Sequence, residues 1–411
     1  MVRGVWSEVG KLEKVLVHRP GREIDRLTPS NREELLFDDI LWLEKAHEDH
    51  DTFSATLASQ GAEVVYLQDL LAQTLDLEPA RKSLLEQTID DRYFGVALSE
   101  PLREYLAAQD SQKLAQILIS GLTRAEIEAE LGSLFSAVLA RVDREDFVLG
   151  PLPNHLFTRD TSAWIGKGVM LSAMKKTARR RETLNLQAVY HFHPDFSDNL
   201  TQYGAGIADS PASSEGGDVE ILSPTSVLVG MGERTSPAGF ERLASRLLLD
   251  PSSSIEMVTG LLMPMERAQM HLDTVLTMVN RDTFYKYKKL GTLPSVIARR
   301  GQGGKISWRE YPAEEMHQVL AQASGVSSVN ILQTPQSDSG AERGQWNDAC
   351  NLLSLSENVV TSYDRNWQTI EYLRSQGIKV LEVPSAELGR GRGGPRCMTC
   401  PLERQAIDNY L

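Results

Sequence analysis

Four stretches of this chain are written in one grammar, and that repetition constrains the fold more than any other feature. In each, a polar or glycine-rich approach reaches an aspartate and a β-rich run follows. The first is Phe157-Thr158-Arg159-Asp160, leading into 162–165 and 168–171. The second is Glu215-Gly216-Gly217-Asp218, leading into 219–222 and 226–230. The third is His271-Leu272-Asp273, continuing through 279. The fourth is Trp346-Asn347-Asp348, leading into 349–353 and 358–361. Paired runs of this kind read as hairpins. Several lead into amphipathic helical stretches, such as 240–248 and 367–375, and extended runs such as 378–383 close the units. The aspartates are 58, 55 and 75 residues apart, a degenerate period of about 60 residues mixing helix and strand. A fifth unit joins the strand at 14–18 to the loop that ends in Cys397. Two architectures are compatible with this. One is a closed ring of five units that gathers its post-strand loops at one axis. The other is a set of ordinary hairpins with aspartate in their turns, which is common turn chemistry.

Residues 70–147 break the grammar. They are rich in Leu, Ala, Glu, Arg and Gln and poor in glycine, and Thr123-Arg124-Ala125-Glu126 spells a capping box. The expected organisation is an α/β body over 1–69 and 148–411 with a helical subdomain inserted at 70–147. Without the insert, five units average about 67 residues each, close to the observed period.

The chemistry-bearing residues sit at the aspartate positions and in one loop. Gly389-Arg390-Gly391-Arg392-Gly393-Gly394-Pro395-Arg396-Cys397 carries one of only three cysteines. Glycine allows close backbone approach, and a thiol on such a loop suits nucleophilic catalysis. Gly389, Gly391 and Gly394 spell G-x-G-x-x-G, but a dinucleotide site needs a following helix and strand, and only 17 residues follow. Cys397-Met398-Thr399-Cys400 is a C-x-x-C. Zinc would need two further ligands, whereas a redox role would want a helix beginning near Pro401. Cys400 reads more simply as a small hydrophobe. His47 and His50 read as a solvated helix face, and His191 and His193 as structural residues of a strand-like run. Asn199-Leu200-Thr201 matches a glycosylation sequon by pattern alone. In a strand, His271 and Asp273 would project to one side.

Composition narrows the partners. The net charge of −13 argues against a nucleic-acid binder, which shows a basic face. No run approaches the length of a membrane span, and Met1–Glu8 lacks the apolar core of a signal peptide. A cytoplasmic protein with reduced thiols is expected.

Asp160, Glu215, Asp218, His271, Asp273 and Cys397 fall at matching places in successive units. That set holds too many carboxylates for proteolysis, where a single one orients the histidine. Surplus carboxylates raise a thiol's pKa and weaken it, unless the substrate is itself a cation. A guanidinium matches paired carboxylates bidentately and lowers the pKa of a thiol beside it. Arg179, with Arg180 and Arg181, and then Arg234 and Arg392 form an opposite pole suited to an α-carboxylate. Together they describe a pocket for free arginine.

At these residues the chain resembles bacterial arginine deiminase. The matching segments are Gly10–Gly21, Leu36–Ile40, Pro153-Asn154-His155-Leu156-Phe157-Thr158-Arg159-Asp160, Glu215-Gly216-Gly217-Asp218-Val219, Gly232-Glu233-Arg234-Thr235-Ser236, Met270-His271-Leu272-Asp273-Thr274-Val275 and the 391–401 loop. The Glu-Gly-Gly-Asp and His-x-Asp motifs alone would mark only the wider guanidine-modifying superfamily. The Arg-Cys-Met-Thr-Cys-Pro ending and the helical insert narrow it. The resemblance implies a five-unit, pseudo-symmetric α/β propeller with an inserted helical subdomain, and metal-free, cofactor-free hydrolysis of L-arginine to L-citrulline and ammonia, the first step of anaerobic arginine catabolism. It implies Cys397 as nucleophile, His271 as acid/base oriented by Glu215, and Asp160 and Asp273 on the guanidinium. Asn154, Phe157, Arg179, Asp218, Arg234 and Arg392 complete the substrate site. No role follows for Pro395 or Arg396. A homo-oligomer is compatible with the resemblance. The competing activities are an amidinotransferase, a dimethylarginine hydrolase and a non-catalytic arginine sensor.

Overall fold

A computed structural model describes residues 4–132, 135–198 and 200–407. Asn199 of the sequon pattern lies outside the described residues. The dominant motif is a hairpin, a helix and a third strand parallel to the hairpin's second strand. Ser162–Ile165 and Gly168–Leu171 pair antiparallel, helix Arg180–Phe192 follows, and Thr201–Ala205 returns parallel. Val219–Ser223, Ser226–Met231, helix Pro237–Leu249 and Met257–Leu262 repeat the pattern. So do Leu276–Asn280, Thr283–Lys286, helix Met316–Ser324 and Asn330–Leu332. The same holds for Leu353–Ser356, Val359–Tyr363, helix Trp367–Ser375 and Lys379–Val383. A further sheet is assembled from distant segments. Cys400–Arg404 pairs antiparallel with Leu12–Val17, helix Leu43–Ser59 follows, and Glu63–Tyr66 lies parallel. An extra hairpin, Ser295–Arg300 with Ile306–Tyr311, extends the sheet that holds Met257–Leu262. The sheets are separate and open, and none closes into a barrel.

The helices of these units bury an apolar stripe. In Pro237–Leu249 the buried set Phe240, Leu243, Ala244, Leu247 and Leu248 follows the three-to-four spacing of one helical face. The strands Val219–Ser223 and Ser226–Met231 are buried along their whole length. Strands covered on both faces read as apolar runs rather than alternations.

Between 67 and 131 the chain is helical: Leu67–Leu75, Glu78–Thr88, Val96–Ala107, Ser111–Ser120 and Arg124–Leu131 are its main elements. Thr123 and Glu126 close the reciprocal capping box that their spacing predicts. Leu71, Leu85, Leu98, Leu102 and Leu118 share one apolar cluster with Trp164, Leu186 and Tyr190. The helical segment is thereby packed onto the sheet that carries Asp160.

Three local expectations are corrected. His271-Leu272-Asp273 is not a strand: Leu272–Thr274 is a 3-10 turn, and the strand begins at Leu276. The run at 191–193 ends helix Arg180–Phe192, whose buried Leu184, Ala188 and Val189 outweigh the local alternation. Pro401 starts no helix; Cys400–Arg404 is a strand paired to Leu12–Val17. No described helix is long and apolar enough to cross a membrane.

Candidate active site

The predicted residues converge because each sits on the segment that enters the first strand of a sheet. Asp160 lies on the helical turn Thr158–Thr161, just before Ser162. Glu215 and Asp218 flank the turn Gly216–Asp218, just before Val219. His271 and Asp273 occupy the turn before Leu276. Cys397 precedes the strand that starts at Cys400.

Close approach fixes the glycines of these turns. A Cβ on Gly217 would lie 2.8 Å from Asp160 Oδ1 and from the His271 ring. One on Gly393 would lie 2.2 Å from the Phe157 ring. Arg392, between two glycines, holds a left-handed φ of 57°, a conformation that costs a non-glycine residue free energy and clusters at functional loops.

The thiol faces carboxylate. Cys397 Sγ is 3.8 and 4.0 Å from the two oxygens of Asp273. Its backbone N–H donates to Asn351 Oδ1 at 2.9 Å, and Asn351 Nδ2 donates to the Asp273 carbonyl at 3.1 Å. Asn351 therefore ties the cysteine loop to the Asp273 turn. Burial pushes the Cys397 thiol well above its ordinary range, and Asp273, Asp160 and Asp348 push it further.

His271 stands between two acids. Its Nε2 is 2.8 Å from Glu215 Oε2 and its Nδ1 is 3.5 Å from Asp160 Oδ1. Burial alone would lower its pKa, but Asp160, Glu215 and Asp218 outweigh burial and raise it to about 9. Glu215 is itself fully buried. Burial raises its carboxyl, and Arg234 and His271 reverse that and hold it well below the usual range. The site thus carries an imidazolium and a neutral thiol near neutral pH.

The arginines do not form a separate pole. Arg179 is buried and reaches Asp160 Oδ2 at 2.5 Å and Glu182 Oε2 at 2.9 Å. Arg234 reaches Glu215 Oε2 at 3.3 Å. Cations and anions interleave because a buried carboxylate needs a partner. Arg392 stacks 3.9 Å from the Trp346 ring and pairs with Asp38 at 3.6 Å. Asp160 Oδ1 remains buried without a hydrogen-bond partner.

A cavity of about 140 Å³ is lined by Asn154, Phe157, Asp160, Arg179, Arg234, His271, Arg392 and Cys397. Asp273 is not in the lining and touches the cavity only through the thiol, 3.8 Å from Cys397 Sγ. Glu215 and Asp218 stand back from it: Asp218 accepts the Leu272 N–H at 2.9 Å and so fixes the histidine turn. Burial raises Asp218 to about 7, against the pull of His271. The sequence reading missed Asp38, Lys176, Glu233, Arg267 and Met270 in the lining, and Arg396 and Asn351 behind it. Asp38, Glu233 and Met270 lie inside matching segments, and Asn351 lies within the fourth repeat, so motif adjacency was the available signal. Arg267 reaches the mouth on a loop, pairing with Asp38 at 2.7 Å, and pattern gives no such contact. No group of three or more His, Cys, Asp or Glu placed to hold a metal occurs among the described residues.

The fold is shared with proteins of known structure. Unliganded AgrE superposes with a TM-score of 0.54 at 13% identity, over 97% of this chain and 40% of that one. The chain thus spans about two fifths of the AgrE length. The N-terminal domain of ArgZ, a cyanobacterial arginine dihydrolase, gives 0.52 at 13% identity over 96% and 98% of the two chains. A cysteine-to-serine mutant of DDAH from Pseudomonas aeruginosa, complexed with citrulline, gives 0.51 at 14% identity over 95% and 99%. The family model for arginine deiminase matches residues 33–404, a span that includes every residue of the cavity, and the chain belongs to the arginine deiminase family.

Proposed function

We propose that this protein hydrolyses L-arginine to L-citrulline and ammonia, at the axis of a five-unit propeller (1–69 and 148–411) bearing the helical insertion 70–147. One observation carries the reading. The single thiol in the cavity faces Asp273 and is pushed up by three carboxylates, a setting that disables it toward neutral substrates and suits a cationic one. Structures of AgrE with L-arginine and of DDAH with citrulline show such ligands on this fold in those proteins.

The distances around Cys397 and His271 support a two-stage mechanism. Asp160 Oδ1 and Asp273 receive the guanidinium, whose charge lowers the Cys397 thiol as the carboxylates raise it. The thiol releases its proton through the cavity to solvent, and Sγ attacks the guanidinium carbon, whose C=N electron pair moves onto nitrogen. His271, held protonated between Glu215 and Asp160, gives its proton to the departing nitrogen, and ammonia leaves. An S-alkylthiouronium remains on Cys397. His271, now neutral, takes a proton from water, whose oxygen bonds to the same carbon. The C–S bond breaks, the new hydroxyl gives its proton to the departing sulfur, and citrulline and the neutral thiol result. Arg392 and Arg234 lie where they can meet the α-carboxylate, with Asn154 and Phe157 on the wall. Such an enzyme would act first in arginine breakdown in the cytoplasm.

Incubation with L-arginine should give citrulline and one equivalent of ammonia without an amine acceptor. Ornithine with two equivalents of ammonia would indicate a dihydrolase instead. A requirement for an acceptor amine would indicate amidino transfer, preference for dimethylarginine would indicate that hydrolase, and binding without turnover would indicate a sensor.

A further inference from the structure

Arg396 immediately precedes the cysteine, and its side chain is fully buried. Its guanidinium gathers three distant parts of the chain. Nε donates to Glu8 Oε1 at 2.9 Å, Nη1 to Asp273 Oδ2 at 2.8 Å, and Nη2 to the Val219 carbonyl at 2.8 Å. Glu8 is anchored in turn, because its Oε2 accepts the Ile221 N–H at 3.3 Å. The side chains of residues 396 and 397 therefore address one carboxylate, Asp273, with the guanidinium on Oδ2 and the thiol within 4.0 Å of both oxygens.

That carboxylate has an environmental conflict. Asp273 is wholly buried, which favours its neutral form, and Arg396 and then His271 oppose this. A protonated carboxyl offers a cation one weak acceptor instead of an anionic pair. A carboxylate free to rotate would also lose alignment with the thiol. Arg396 supplies a fixed charge, and its guanidinium, itself held on Glu8 and the Val219 carbonyl, anchors Oδ2 by one hydrogen bond. Oδ1 is left with no hydrogen-bond partner closer than the thiol among the described residues.

We propose that Arg396, clamped by Glu8, is a positioning residue that keeps Asp273 ionised and oriented so that Oδ1 receives the substrate's cationic group beside Cys397. The inference rests on the function proposed above only for the identity of that cation.

The test needs no turnover. Alkylation of Cys397 by 2-chloroacetamidine, a cation, is compared with alkylation by neutral 2-chloroacetamide, and the ratio of second-order rate constants reports the cation site. In Glu8→Gln/Arg396→Met, which leaves Asp273 without its partner, the ratio should fall at least about tenfold, the scale of one charge-assisted hydrogen bond. Arg396→Lys keeps the charge without the fork, and its ratio should fall by a smaller factor of roughly three. In an Asp273→Asn background, Arg396→Lys should change the ratio no further. Circular dichroism and thermal melting establish that each variant is folded. An unchanged ratio in the folded double variant overturns the proposal, as does equal slowing with both reagents. If the double variant does not fold, Arg396→Lys decides alone: a lowered ratio supports the role and an unchanged one overturns it. Absence of citrulline with wild-type protein would sink the proposed reaction while leaving this measurement intact.

Discussion

Glu215 Oε2 stands 2.8 Å from His271 Nε2, while the other ring nitrogen stands 3.5 Å from Asp160 Oδ1. The imidazole is thus buried between two acids, and its charged form is favoured up to about pH 9. A raised histidine contributes stability that is fully present below the free imidazole value of 6.5 and is lost as pH rises through about 9. His271→Gln should therefore melt a few degrees below wild type at pH 6, and the gap should narrow between about pH 6.5 and 9. Calorimetry across that range checks it, and a gap that widens with pH would contradict it.

Asp160 has opposite effects on two reactions of the same thiol. It is one of the carboxylates that, after burial and Asp273, raise Cys397. Asp160→Asn should speed alkylation by a neutral reagent at fixed pH by up to about tenfold, a shift of about one pKa unit. The same change should slow arginine turnover by roughly 100-fold or more, because an electrostatic partner of the cation is lost. Parallel rate measurements would show the divergence.

Gly217 leaves no room for a side chain, since its Cβ would come within 2.8 Å of both Asp160 Oδ1 and the His271 ring. Gly217→Ala should displace the pair and lower kcat/KM by roughly 100-fold, with a stability cost of about 1–3 kcal/mol from overpacking. Steady-state kinetics and denaturant melts separate the two effects.

Thr123 caps helix Arg124–Leu131 through a complete capping box, far in sequence from every site residue. Thr123→Ala should cost about 1 kcal/mol of stability and leave kcat and KM unchanged. A change in turnover would show that the helical segment communicates with the cavity.

Much of this arrangement was legible because the sequence repeats it. Glu215-Gly216-Gly217-Asp218 and His271-Leu272-Asp273 announce turns by glycine and aspartate content, and the helices at 237–249 and 367–375 announce themselves by apolar spacing. The local geometry of His271 was not legible: the β-branched run after it reads as one strand, yet 3-10 turn Leu272–Thr274 breaks away first. The distribution of charge was hidden for another reason. Arg179 and Arg234 look like free cations along the chain, but burial beside Asp160 and Glu215 makes each the partner of an acid. Arg396 was invisible because its partners Glu8 and Asp273 are 388 and 123 residues away, and only the tertiary fold brings them together.

The central claim is a covalent intermediate on Cys397, and rapid acid quench during turnover with labelled L-arginine, followed by mass spectrometry of the peptide carrying Cys397, tests it most directly. The account predicts labelled adduct on Cys397 in wild-type protein and none in Cys397→Ala, with citrulline formation in that variant reduced by roughly 10⁴-fold or more. Citrulline formation at wild-type rates without adduct, under quench conditions that preserve a thiouronium, would contradict it.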